Sequence, residues 1–396
     1  MTPDERRAAQ SLAGIFALRM LGLFLVLPVF ALEAARLPGG DDPALVGLAM
    51  GIYGLTQALM QVPLGLASDR VGRKKVIVIG LAVFALGSAV AALAGSVPML
   101  VVGRAIQGAG AVSAAVTALL ADQTRDEVRT KGMALVGISI AGMFALSLVA
   151  APPLAGLIGL GGLFWLTCAL SLAGIAVVRW WTPAEPAQHA EQPRGRLADV
   201  WLHPDLWRLD LGVFVLHTVQ MAMWVVVPAL LVQAGLPKAQ HWQVYLPAVL
   251  ASFLMLGGLF AAERRGALRG VLRAGIALLF LVQLGLLALA PRAPGLWTLG
   301  VLLLCFFIAF NLLEATQPSL ISRLAPPQAR GAALGVYNTL QSLGLFAGGA
   351  LGGALVKAGG PTAVLVATSA LAALWLLLGW AQAVPGGRPA TASPAR

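Results

Sequence analysis

The sequence predicts an all-α membrane protein of twelve transmembrane helices in two six-helix bundles, with both termini cytoplasmic. Three observations lead there. The 396 residues are 59% hydrophobic and only 11% charged, whereas soluble domains carry about 25% charged residues. The apolar residues gather into stretches near the ~20 that a helix needs to cross a bilayer core of ~30 Å. The basic residues are also sorted. Of 27 Lys and Arg, 21 fall in the N-terminal tail, every second connection and the C-terminal tail; four (Arg36, Lys238, Arg292, Lys357) fall in the other connections, and two (Arg19, Arg104) inside helices. Cytoplasmic loops retain Lys and Arg, so the bias sets the topology.

The spans, in order, are 12–33, 45–66, 76–95, 98–121, 133–157, 161–181, 209–233, 243–262, 272–290, 295–322, 332–356 and 362–384. The first is too long for the apolar core of a cleaved signal peptide, so it reads as a retained helix. Very short hairpins, Gly95–Pro98 and Gly159–Gly162, join spans on the side opposite the basic loops. The longest polar stretch, 182–205, is rich in Pro, Ala and charge and divides an N-terminal bundle (1–181) from a C-terminal bundle (206–384). It is too short for a domain and reads as a cytoplasmic linker. The Pro/Gly/Ala-rich tail 385–396 has the composition of disorder. A weak repeat supports duplication: Asp69-Arg70-Val71-Gly72-Arg73 is echoed by Glu263-Arg264-Arg265-Gly266-Ala267. Secondary transporters are commonly built from such repeats.

Composition also excludes classes. The net charge of +11 is explained by anionic lipid headgroups beside the basic loops, so no nucleic-acid partner is expected. Cys168 and Cys305 both lie in apolar spans and read as buried small side chains. The His residues are scattered without metal-ligand spacing, and neither HExxH nor a Walker A sequence occurs. An enzyme, an ATP-driven pump and a metal site are therefore not expected, and no cofactor is implied beyond a proton gradient.

The most specific local motif is Gly65-Leu66-Ala67-Ser68-Asp69-Arg70-Val71-Gly72-Arg73-Lys74-Lys75. Gly65 admits a neighbouring helix, Gly72 a tight turn, and Asp69 suits a helix N-terminus, where the macrodipole favours an anion. Arg73 is placed to pair with Asp122 at the end of the fourth span. A second motif, Arg104-Ala105-Ile106-Gln107-Gly108-Ala109-Gly110-Ala111, puts an arginine about 10 Å inside the membrane, where it needs water or a partner. Its glycines read as helix-packing positions. A third stretch, Ala151-Pro152-Pro153-Leu154-Ala155-Gly156, lies in the fifth span.

These motifs, with Arg19–Phe30, Gly51–Lys75 and Ala309–Ser322, resemble the drug:proton antiporter branch of the major facilitator superfamily, and in particular its YajR-type bacterial transporters. That type carries a small soluble domain after the last helix. None follows within these residues, and its role is not carried over. The resemblance implies that Gly65, Asp69, Gly72, Arg73 and Asp122 form a conformational latch and that Arg104 takes part in proton coupling. The third stretch departs from the antiporter pattern, with Ala151 in place of a glycine, an added proline and only Gly156 of a glycine pair.

Deep ionisable residues form a pattern of their own: Arg19, Arg104, His217 and Glu314 fall on spans 1, 4, 7 and 10. In a bundle of three-helix repeats these spans are equivalent, and one set lining a watery cavity makes charge tolerable there. The resemblance implies the same cavity-lining set. Glu314 is the leading proton carrier, since exchange between a desolvated and an Arg-paired setting loads and releases a proton. His217 is the other titratable candidate, and Arg104 and Arg19 complete the coupling set. Glu33 and Asp210 read as interfacial. Met20, Phe24, Gln107, Met221, Trp224, Phe310 and Asn311 are candidates for the substrate cavity, where a soft apolar lining suits varied compounds. Gln57, Gln61, Gln220, Asn338 and Gln341, like Gln107 and Asn311, lie within spans and read as substrate-binding or, outside the cavity-lining spans, as helix-stitching groups.

The expected function is therefore a monomeric, multi-pass transporter in a bacterial inner membrane. Its expected partners are protons, membrane lipid and a small-molecule substrate. It would export amphipathic, drug-like compounds in exchange for protons by alternating access. The alternative on the same fold is a facilitator or proton symporter of a small metabolite.

Overall fold

A computed structural model describes residues 1–185, 203–264, 267–292, 294–326, 329–380 and 382. Most of the predicted linker and the predicted disordered tail lie outside these residues, as do Arg265 and Gly266 of the repeat. The described residues are helical, without strands.

The first half comprises α1 (Pro3–Ala34), α2 (Pro43–Val71), α3 (Arg73–Ala92), α4 (Val97–Ala109), α5 (Ser113–Asp122) and α6 (Asp126–Ala176). The second comprises α7 (Pro204–Gln233), α8 (Trp242–Arg264), α9 (Leu268–Leu289), α10 (Leu296–Leu324) and α11 (Arg330–Gly379). Nine stretches among the described residues are long and apolar enough to cross a membrane. The two longest helices are each divided by non-helical glycines, Gly159 in α6 and Gly359–Gly360 in α11.

Local chemistry sets the ends. α1 starts before the predicted span because Thr2 and Glu5 form a capping box, with Pro at the first turn, and this arrangement satisfies two orphan backbone donors. Asp42 caps α2 by accepting from the Ala44 N–H. The predicted fourth span is not one helix: it opens between Ala109 and Ser113. Glycine is a poor helix former, and Gly110 is pressed against α3, where a Cβ would stand 2.3 Å from the Gly80 carbonyl.

Large apolar side chains cover the flanks, among them Leu254 at 83% exposure and Leu157 at 81%. Exposed tryptophans mark both ends: Trp180, Trp181, Trp207 and Trp380 at the end bearing the α2–α3 loop, and Trp165, Trp242 and Trp297 at the other. Apolar flanks between two aromatic belts are the surface a bilayer selects. The end with the α2–α3 loop is called the basic end below.

The halves meet unevenly. One apolar core fills the second half and continues into the first through Leu25–Leu27, Val29, Phe30, Val46, Met50 and Phe144, toward the end away from the basic loops. Near the basic end the first half keeps a separate core around Leu12, Ile15, Ile77, Val116 and Leu119. Contact between halves runs mainly through α2 against α11, with α6 on α8 and α1 on α7. The α2–α11 seam is built on glycine. A Cβ at Gly47 would stand 2.3 Å from the Gly349 carbonyl, at Gly51 2.6 Å from the Phe346 carbonyl, and at Gly54 2.3 Å from the Ser342 carbonyl. Small residues let helix backbones approach where lipid gives no hydrophobic drive. At the far end the seam carries charge: Lys238 pairs with Glu33, and Lys357 with Asp42 at 2.8 Å. Glu33, expected at the interface, is 8% exposed because this ion pair covers it.

Candidate functional site

Glu314 of α10, His217 of α7 and Gln341 of α11 meet inside the second half. His217 Nδ1 donates to the Val213 carbonyl at 3.0 Å, which leaves Nε2 as an acceptor in the neutral ring. Gln341 Nε2 lies 2.8 Å from that Nε2 and donates to Glu314 Oε1 at 3.1 Å. Glu314 Oε2 stands 3.5 Å from the imidazole. One amide group thus bridges two acceptors, the arrangement for a neutral ring beside a carboxylate. The imidazole also meets the Phe310 ring edge-on, with centroids 5.7 Å apart. The Glu314 side chain keeps 36% of its surface open and the His217 side chain 5%, so the acid is the member that solvent reaches.

Arg19 and Arg104 do not join this cluster, and each is 1% exposed. Arg19 donates to Ser113 Oγ at 3.0 Å, Tyr53 Oη at 2.7 Å and Gln57 Oε1 at 3.1 Å. Gln57 in turn donates to Ser342 Oγ of α11 at 2.9 Å, so the stitching role holds and the stitch crosses between halves. Arg104 donates to Gln107 Oε1 at 2.9 Å and reaches the Ala49 and Met50 carbonyls of α2 at 3.4 Å. Its guanidinium lies 4.9 Å from the Tyr53 ring centroid and 6.0 Å from that of Phe30. Among the described residues neither arginine has an ion-pair partner. Both are held by neutral dipoles and aromatic faces, so in this conformation Arg104 has no acid to tune.

The seven cavity candidates divide. Met20 and Phe24 are partly open, and Phe24 meets Phe144 at 5.1 Å between centroids. Phe144 meets Phe307 of the second half at 6.1 Å. Gln107 does not face open space, because its amide donates to Ser88 Oγ at 2.7 Å and braces α4 on α3. Met221, Trp224 and Phe310 are buried in helix contacts: Trp224 against Tyr245, Phe310 against Phe306, and Met221 beside Gly348. Asn311 is half-buried and donates to Ser252 Oγ at 2.8 Å.

The latch residues are brought together. Arg73 pairs with Asp69, donates through Nε to Asp122 Oδ2 at 3.2 Å, and reaches Ser68 Oγ at 2.7 Å. Gly72 has φ +110°, a backbone state that side chains resist. Gly65 is different from expectation. A Cβ there would meet only Ala114 at 3.6 Å, an ordinary contact, so no close helix approach depends on it here. Gly108 does serve packing, since its Cβ would stand 2.1 Å from the Tyr53 carbonyl.

Sequence reasoning missed two groups. Glu185, in the predicted linker, accepts from the Arg73 N–H at 3.0 Å and the Lys74 N–H at 2.6 Å. It supplies an anion to a helix N-terminus, that of α3. Lys74 Nζ donates to the Thr182 carbonyl at 2.7 Å, which pins the same segment. Partial burial there pulls the Lys74 ammonium below its usual range. The second group is Asp210, which is not interfacial but 5% exposed. It packs between α7 and α11, and its spacing of seven from His217 was the available signal.

The chain is 42% identical over 381 residues to the inner membrane transport protein YajR of Escherichia coli, covering 95% of this chain and 83% of that protein. It is 29% identical to the multidrug resistance protein MdtH of Aeromonas salmonicida, over 85% of this chain and 84% of that one. Among solved structures it is similar to a bacterial homologue of the human lysosomal transporter Spinster in an inward-facing, occupied conformation, with TM-score 0.75, 16% identity, and coverage of 96% of this chain and 97% of that chain. Residues 12–349 match the Major Facilitator Superfamily, and this multi-pass membrane protein, a transporter rather than an enzyme, belongs to that family.

Proposed function

We propose that the chain is a proton-coupled exporter of small amphipathic compounds in a bacterial inner membrane, and that Glu314, His217 and Gln341 are its proton site. The observation that carries the reading is the acceptor–donor–acceptor bridge at Gln341. A proton arriving at His217 Nε2 turns an acceptor into a donor, and the Gln341 N–H group then faces the wrong partner. The amide must rotate or leave, and the imidazolium closes on Glu314. A unit charge pair near 4 Å is worth about 4 kcal/mol at an effective dielectric of 20, or roughly a thousandfold in a conformational equilibrium.

Gln341 adjoins Ser342, the group that Gln57, itself held by Arg19, reaches across the α2–α11 seam. Rotation at Gln341 is thereby coupled to the contact that joins the halves. A proton crossing the membrane potential supplies about 2.3 kcal/mol per 100 mV, enough to bias that rocking. We read twelve crossings with both termini cytoplasmic. A helix of fifty residues would run about 75 Å, so α6 and α11 each make two passes at their glycine breaks. The basic end is then cytoplasmic, and the conformation is open toward it, consistent with the divided cores.

Protein in liposomes should move a lipophilic dye only under an imposed pH gradient, and Glu314→Gln should abolish the pH dependence. Transport indifferent to the gradient refutes coupling, and normal pH dependence in the variant removes Glu314 from the role. The altered Ala151–Gly156 stretch favours a second reading, proton symport of a metabolite, and the direction in which the gradient drives flux separates the two.

A further inference from the structure

We propose that Asp210 is a second proton-binding site, set between the Glu314–His217 pair and the basic end and joined to that pair through the Tyr337 hydroxyl. Its place in transport rests on the reading of Glu314 given above; its protonation does not.

The helix register places the groups. Gly344 and Gly348 of α11 lie against Phe214 and Thr218 of α7, with Cβ positions 2.5 and 2.3 Å from their carbonyls. Gly344 also lies against His217, its Cβ position 3.1 Å from the His217 Cβ, and seven residues before that pair on each helix Tyr337 stands near the level of Asp210. On α7, Asp210 shares a face with His217 and lies about 10 Å nearer the basic end. On α11, Tyr337 is one turn from Gln341.

No hydrogen-bond donor or cation reaches Asp210 among the described residues, and its Oδ1 is enclosed. Tyr337 is 2% exposed and its hydroxyl has no partner. It interacts electrostatically with both Glu314 and Asp210. The other neighbours offer no counter-charge. On α7, Arg208 is committed to Asp205 at 2.8 Å. On α10, Gln317 is fully buried with both amide atoms unpartnered. On the later part of α11, Trp375 presents its indole Nε1 at Gly212, and Arg330 at the α11 start is exposed.

An ionised carboxylate in such a setting costs several kcal/mol, whereas a carboxylic acid is tolerated. A hydroxyl without a partner beside it both donates and accepts. In this conformation the Tyr337 hydroxyl bonds to neither carboxylate; when it moves within hydrogen-bond reach of both, Asp210 gives its proton to the Tyr337 oxygen as the Tyr337 proton passes to the Glu314 carboxylate. Asp210 is left ionised, Tyr337 is unchanged and Glu314 becomes neutral; the basic-end solvent then restores the Asp210 proton. Reversal discharges Glu314.

Infrared difference spectra of the full chain in nanodiscs, recorded across pH with the proton as the only ligand, test this. Two carboxylic-acid carbonyl bands are expected. Asp210→Asn removes one, and Glu314→Gln removes the other. Tyr337→Phe keeps both and slows hydrogen–deuterium exchange at the Glu314 band about tenfold. Spectra of Asp210→Asn that superpose on wild type overturn the site. Unchanged exchange at the Glu314 band in both Tyr337→Phe and Asp210→Asn overturns the connection. An Asp210 band that persists while Glu314→Gln transports normally sinks the transport reading alone.

Discussion

The two halves hold opposite kinds of charge in the middle of their helices. The first half encloses Arg19 and Arg104, each held by neutral dipoles and aromatic faces. Arginine stays protonated in proteins, so these groups are fixed cations. The second half holds the ionisable side chains His217, Glu314 and Asp210 amid polar atoms without partners. The difference teaches a division of labour on one fold. On the function proposed above, the first half is a charged frame and the second holds the groups whose partners change. The ion-pair cluster at the basic end belongs to the first half too, since Asp69, Arg73 and Asp122 all lie within it.

The largest effect is expected where the halves touch. Gly51→Leu forces a side chain into a site where even a Cβ stands 2.6 Å from the Phe346 carbonyl. Overpacking costs about 1–3 kcal/mol or more, all of it on the state in which α2 and α11 are joined. Spin labels on the far ends of α2 and α11 should report a widened distance distribution, and gradient-driven dye transport should vanish. An unchanged distribution would show that the glycine seam is not what holds this end shut.

Two substitutions then set half against half. His217→Gln removes the switching acceptor and should flatten the pH dependence of the conformational equilibrium, read by the same labels, with little loss of thermal stability. Arg104→Met should do the reverse. It leaves Gln107 Oε1 without its donor, a loss of about 1–3 kcal/mol seen as a lower melting temperature, with the pH midpoint unmoved. A midpoint shift in Arg104→Met would place the first half inside the proton cycle and erase the contrast.

The sequence carried the fold because bilayer physics writes it plainly: apolar length, basic sorting and short hairpins are composition-level signals. It also carried the contacts of Arg73 with Asp69 and Asp122, residues close in sequence or at a span end. The cavity lining was not legible. Whether Trp224 packs on Tyr245 or faces open space depends on helix rotation, and the apolar pattern of a helix buried all round does not set that. The glycine seam was hidden for a related reason, since Gly47 and Gly51 acquire meaning only beside Gly349 and Gly353, and Gly54 only beside Ser342. The break at Gly110 and the cap from Glu185 depend on backbones from distant parts of the chain. Asp210 was misplaced because nearness to a span end suggested water, whereas α11 covers it.

The smallest expected effect lies outside the membrane, at the start of the frame. Glu5 accepts from Arg125 Nε at 2.8 Å and from the Arg125 and Thr2 backbone N–H groups. The Arg125 hydrogen bond, foremost, and the Thr2 cap hold its carboxyl down at about 2, from an ordinary 4.5. A carboxyl lowered by folding stabilises the folded state fully above its unfolded value and loses that contribution as pH falls through the folded one. Glu5 therefore stabilises the tie between α1 and α6 above pH ~4.5 and gives it up between there and about 2. In Glu5→Gln, the melting temperature should be lowered slightly at neutral pH and should converge on wild type at the acid end of that window, while any pH midpoint of the conformational equilibrium stays unmoved. Parallel melting curves across the window would show that the pair adds nothing, and a moved midpoint would mean the frame is less inert than its buried arginines imply.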